Sequence, residues 1–113
     1  MHELSLAQGV LEELEAAARR HAFTRVCSLE LEVGVLAGVD LEALRFALDA
    51  ILPGTLAAAA EVRLIERLAE GTCTSCGHTA PLHDRLQPCP ACNALGRRAH
   101  GGMALTLGKL EVE

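Results

Sequence analysis

The 113-residue chain has no tryptophan, no tyrosine and only two phenylalanines, Phe23 and Phe46. Its core must therefore be aliphatic, built from Leu, Val, Ala and Ile with those two rings as the only aromatic contributors. The shortage of rings also argues against single-stranded nucleic acid, which binds by stacking bases on aromatic side chains. A basic excess is missing as well. The formal net charge is −5, the wrong sign for a chain that displaces counterions from phosphates. No apolar run approaches the roughly 18–20 residues of a membrane helix; the longest small-residue patch, "TLAAAA", follows Pro53 and Gly54. The opening "MHELSL" lacks the basic and apolar stretches of a secretory signal, so the chain reads as soluble and cytoplasmic, with no membrane partner. There is no G-x-x-x-x-G-K-S/T phosphate loop, no motif-placed carboxylate pair and no nucleophile beside a base, so an enzyme is not expected. Glu12 and Glu13 read as a solvated helix face.

What is present has clear periodicity at both ends. Leu6, Val10, Leu11, Leu14, Ala17 and Ala18 recur at helical spacing, with Glu12, Glu13 and Glu15 opposite; this predicts a helix over about residues 6–21. Ser5 is its expected N-cap, Gln8 the matching third residue, and Arg19, Arg20 and His21 suit the last turn. A short strand could precede it. Leu29, Leu31, Val33 and Val35 then alternate with Ser28, Glu30, Glu32 and Gly34, a strand with one dry face. Cys27 reads as a small core residue. Asp40 caps a second helix with Leu41, Leu44, Leu48, Ile51 and Leu52 as its stripe, closed by Pro53 and Gly54. Val62, Leu64 and Leu68 mark another strand. Met103, Leu105 and Leu107 begin a last one, and Leu110 and Val112 resume out of phase after Gly108, as a bulge would allow.

Between these strands the periodicity vanishes. Residues 73–100 contain three prolines, four cysteines, three histidines and a net charge of +2, against −7 for the rest of the chain. Two charge regimes suggest two modules: a body of residues 1–70 and 102–113, and an insertion of residues 71–101 whose ends near Glu70 and Gly102 lie close, as in an interrupted hairpin. The expected fold is α+β, a small mixed sheet with two helices plus an inserted zinc-ribbon-like module.

The insertion carries Cys73-x2-Cys76, twelve residues, then Cys89-x2-Cys92. Each Cys-x-x-Cys bends into a knuckle, and two knuckles supply the four thiolates that tetrahedral zinc favours. Such a closed site is structural, replacing a core that the segment cannot build. Gly77 gives the turn behind the first knuckle its freedom. Disulfides conflict with a reducing compartment, and a redox pair needs only one Cys-x-x-Cys. His78, His83 and His100 read as surface histidines; His78 stands nearest a knuckle and could swing in.

At the other end, His2 sits directly behind Met1. A methionine before histidine keeps its place, so the Met1 amine, the His2 amide nitrogen and the His2 imidazole can form fused chelate rings. Planar nitrogen sets of this kind suit Ni(II) and Cu(II), and Glu3 offers a further donor. From the residues alone an ordinary chain-end histidine stays open, as does a zinc-ribbon interaction module for protein or nucleic acid, with Arg97 and Arg98 as its basic patch and no nickel.

"MHELSL" at the start, a helix–strand–helix body and the doubled Cys-x-x-Cys before a final strand resemble the HypA/HybF family of nickel metallochaperones for hydrogenase maturation. The segment "LELEVGVLAGVDLEALRFALD" is similar to that family's second strand and second helix, and the resemblance covers the whole chain. It implies nickel as cargo at an amino-terminal site centred on His2, with Glu3 beside it, to which the chelate geometry adds the Met1 amine. It also implies structural zinc on Cys73, Cys76, Cys89 and Cys92. Its implied partners are a nickel-binding maturation GTPase and the NiFe-hydrogenase large subunit precursor. The chain itself is expected to be a monomer or weak homodimer. Some relatives carry a histidine behind each knuckle; here His78 follows the first, but Asn93 and Ala94 follow the second. His100 is a substitute or a nickel auxiliary.

Overall fold

The computed structural model describes residues 2–113. Its elements in chain order are α1 (His2–His21), β1 (Val26–Gly34), α2 (Leu41–Ile51), β2 (Glu61–Arg67), β3 (Ala69–Cys73), β4 (Thr79–Leu82), β5 (Arg97–His100) and β6 (Leu105–Val112). The fold is a small α+β arrangement with two helices, a mixed sheet in the order β2-β1-β6 and a second three-stranded sheet in the order β4-β3-β5. No helix among the described residues is long and apolar enough to cross a membrane.

The chain divides into two compact units: residues 1–31, 39–64 and 107–113, and residues 32–38 with 65–106. In the first unit, α1 buries Ala7, Val10, Leu14 and Ala17, one stripe at spacings of three and four. Against it α2 buries Leu44, Ala47 and Leu48. The N-cap of α2 is Asp40, whose carboxylate accepts from the Ala43 N–H at 3.1 Å. Leu29 and Leu31 of β1 complete this aliphatic core at zero exposure. Backbone bonds from Val26 N to the Leu56 carbonyl and between Arg25 and Glu113 tie β1 to its neighbours on both sides.

The structure corrects several expectations. The first helix starts at His2 rather than near residue 6, and Ser5 lies inside it, exposed. No strand precedes it among the described residues. Nothing in "HELS" breaks a helix, and Glu3 places a carboxylate in the first turn, where the dipole favours it. Phe46 is no core ring: it is 75% exposed on the outer face of α2, and Phe23 is only half-buried. Cys27 is likewise half-buried rather than in the core. The strands flanking the insertion are not a hairpin, because β2 and β6 stand on opposite sides of β1.

In the second unit, β3 is the centre of a small antiparallel sheet. Ala69 to Thr72 face Leu82 to Thr79 of β4, and Glu70 to Cys73 face His100 to Arg97 of β5. Residues 73–100, which show no periodicity in sequence, thus contain two short strands. Alternation puts Ala69, Gly71 and Cys73 on one buried face with Leu82 and Arg97, while Glu70, Arg98 and His100 are exposed. The chain closes tightly at its base. A Cβ on Gly34 would collide with the backbone of Gly102, which sits at φ +68° against Ala69. Glu32 pairs with Arg67 at 3.0 Å, and the guanidinium holds the Glu32 carboxyl below its usual range.

Candidate metal centre

The two Cys-x-x-Cys segments fold into matching knuckles. In the first, the Cys73 N–H donates to the His78 carbonyl at 2.9 Å and the Gly77 N–H returns to the Cys73 carbonyl at 2.9 Å. In the second, Cys89 donates to the Ala94 carbonyl at 2.9 Å and Asn93 returns to the Cys89 carbonyl at 2.8 Å. Gly77 has φ +79° and Asn93 φ +63°. Asparagine is one of the few side chains that tolerate this left-handed region. Asn93 therefore fills the place Gly77 fills, a role hidden when it is weighed only as a missing histidine. The Thr74 hydroxyl clips the segments together, donating to the Gly96 carbonyl at 2.8 Å.

The four sulfurs converge. Every Sγ of Cys73, Cys76, Cys89 and Cys92 lies within 4.8 Å of the others. The Cys73–Cys92 and Cys76–Cys89 separations are 3.6 and 3.7 Å. Disulfides are excluded, since their sulfurs sit about 2.0 Å apart, and all five cysteines are free. A tetrahedron with metal–sulfur bonds of about 2.3 Å has edges of about 3.75 Å, so the measured pairs fit two opposite edges of a tetrathiolate site. Cys73 and Cys89 are buried, whereas Cys76 and Cys92 face solvent.

The backbone prepares the sulfurs for a cation. Cys73 Sγ accepts from the N–H groups of Cys76 at 3.5 Å and Ser75 at 3.4 Å, which hold its thiol down at about 6. The N–H groups of Cys92 and Ala91 lower Cys89 in the same way. Cys92 behaves oppositely. The Ala94 N–H pulls it down, but the sulfurs of Cys73, Cys76 and Cys89 together push it up to about 12. Sulfurs this close cannot all ionise unaided; a divalent ion removes that conflict and takes all four as thiolates.

The histidines stay apart from this cluster. His78, His83 and His100 are all exposed, and the only ligand-bearing group of three or more His, Cys, Asp or Glu among the described residues is the four cysteines. His78 serves through its carbonyl. Arg97, expected on an exposed basic patch with Arg98, is instead buried at 7% exposure. No local signal reveals this, because the β5 pattern sets faces but not which face is inward.

At the amino terminus, His2 and Glu3 occupy the first turn of α1. The His2 side chain is 59% exposed, with Nδ1 3.6 Å from Glu3 Oε2. That same oxygen accepts from the Asp40 backbone N–H at 3.1 Å. The Asp40 N–H and Glu3's own N–H are the main causes that hold the Glu3 carboxyl below its ordinary range. Met1 lies outside the described residues.

Comparison with known proteins gives one answer. The family model for hydrogenase/urease nickel incorporation, metallochaperone, hypA matches residues 1–112. The hydrogenase maturation factor HypA of Polaromonas naphthalenivorans is 48% identical over 105 residues, 93% of this chain and 91% of that protein. That of Alkalilimnicola ehrlichii is 40% identical over 113 residues, the full length of both. The solution structure of the Ni metallochaperone HypA from Helicobacter pylori superposes with a TM-score of 0.69 over 97% of this chain and 96% of that one; at 17% identity the likeness is one of fold.

Proposed function

As the chain belongs to the HypA family of nickel-incorporation metallochaperones, which are not enzymes, we propose that it carries Ni(II) at its amino terminus and passes it to a maturation GTPase. The destination is the NiFe-hydrogenase large subunit precursor. His2 supplies the imidazole and its own amide nitrogen, Met1 the terminal amine, and Glu3 a further donor. Nickel is cargo here. Structural zinc belongs on Cys73, Cys76, Cys89 and Cys92, in a module of residues 71–101; the body of residues 1–70 and 102–113 carries the nickel end.

The observation that carries this reading is the placement of His2. It is exposed in the first turn of a helix, where N–H groups have no carbonyl four residues earlier to bond. The His2 amide nitrogen is thus uncommitted to the helix ladder and can be deprotonated by a planar-preferring d8 ion. Five free cysteines suit a reducing compartment. The GTP chemistry must come from a partner, since the chain has no phosphate loop.

Acetylating the Met1 amine tests the assignment. It takes the amine out of the chelate while leaving His2 in place. Nickel affinity, measured by chelator competition, should fall at least tenfold with zinc content unchanged. Equal affinity in the acetylated protein would rule out the terminal chelate.

A further inference from the structure

Among the described residues, Arg97 is a buried cation that pairs with no anion. It faces Cys73 across the β3–β5 pair and is 7% exposed. Its guanidinium lies flat on Gly71, where a Cβ would come within 2.9 Å of Nε. One nitrogen, Nη2, donates to the carbonyls of Ala80 at 2.9 Å, Pro81 at 3.2 Å and Gly71 at 3.4 Å. Nε and Nη1 are buried and meet no acceptor among the described residues. The adjacent strand carboxylate, Glu70, is exposed while Gly71 is buried, as alternation along β3 requires.

An uncompensated charge in such a place is expensive. The carbonyl dipoles offset part of the cost. The rest is left for negative charge on the same buried face, where Cys73, one of the four cysteines, stands opposite Arg97 and two residues along β3 from Gly71. Four thiolates around one divalent ion leave a net charge of −2. We infer that Arg97 is the built-in counter-cation of the four-cysteine metal centre, holding divalent metal in the module by offsetting the charge of its sulfurs. Gly71 is the second half of the device: it lacks the side chain that would displace the guanidinium. Arg97 is a positioning residue, since its contribution reaches the ion through the thiolates and not by contact. The inference rests on the metal reading of the cysteines given above.

Charge and hydrogen bonding are separated by two substitutions. Arg97→Lys keeps the charge and a donor; Arg97→Gln keeps a donor and loses the charge. Zinc affinity of each full-length protein is measured by chelator competition, with cobalt absorption reporting whether the tetrahedral sulfur site is intact. Arg97→Lys should stay within threefold of wild type, and Arg97→Gln should lose at least tenfold. A glutamine variant that cannot hold cobalt at all, beside a lysine variant that does, is the same result at its limit. Equal affinity in the two variants, a tighter glutamine variant, or a tenfold loss in both would overturn the inference and leave Arg97 a hydrogen-bonding or packing residue. Failure of wild-type protein to bind zinc would instead remove the reading on which it rests.

Discussion

Gly77 and Asn93 stand at the same point of the two knuckles, four residues after Cys73 and Cys89, and share the left-handed backbone at φ +79° and +63°. Each returns its N–H to the carbonyl of its cysteine. The geometry of the metal centre thus depends on two residues that touch no metal. Left-handed backbone costs an ordinary residue roughly 1–2 kcal/mol. Asn93→Ala should therefore destabilise the zinc-loaded protein by about 1 kcal/mol in denaturant unfolding, and Asn93→Gly should be at least as stable as wild type. Equal stability of the alanine and glycine variants would show that the conformation carries no cost.

Phe46 and Leu44 make opposite demands on the same helix. Leu44 is fully buried and Phe46 is 75% exposed. Phe46→Ser should change unfolding free energy by no more than about 0.5 kcal/mol. Leu44→Ala should cost about 2–5 kcal/mol. A large loss at Phe46 would contradict the outward-facing ring.

Glu3 reaches 37 residues along the chain to accept the Asp40 N–H, and that bond is the leading cause of its lowered carboxyl. A depressed folded pKa contributes stability above the unfolded carboxylate range and loses it as pH falls through the folded value. Glu3→Ala should thus lower the melting temperature at pH 7 by a few degrees. The difference from wild type should shrink steadily in acid, below the ordinary range of glutamate. A gap that persists unchanged into strong acid would assign the effect to packing.

Local signals reach as far as the geometry they describe. The stripe of α1, the Asp40 cap and the doubled Cys-x-x-Cys each lie within a few residues, and each is legible in the sequence alone. The start of α1 is not. Ser5 looks like a cap locally, but the helix runs back to His2 and Glu3 binds to Asp40 from another element. Composition points Phe46 to the core, although its position two residues after Leu44 already turns it away from the stripe. Arg97 reads as exposed beside Arg98, and only the pairing of β5 with β3 shows which of the two goes inward. Asn93 is legible through asparagine's tolerance of left-handed backbone, four residues after its cysteine as Gly77 is after Cys73.

The sulfurs predict how zinc uptake couples to protons. Cys73 is held at about 6, so it is already ionised at pH 7, whereas Cys92, at about 12, is protonated until an ion arrives. Uptake at pH 7 should therefore release fewer than four protons, measured calorimetrically in buffers of different ionisation enthalpy. As pH falls through about 6, Cys73 takes up its proton and zinc affinity should fall. Release of a full four protons at pH 7 would contradict the lowered thiols.

The proposed function places two ions on two separate sets of atoms, nickel on His2 and its neighbours at the chain start and zinc on the four cysteines. Its most direct test is the metal content of untagged, nickel- and zinc-loaded protein, wild type against His2→Ala, by elemental analysis after desalting. One zinc is expected in both proteins, and nickel in the wild type alone. Equal nickel in the His2→Ala protein would contradict the claim.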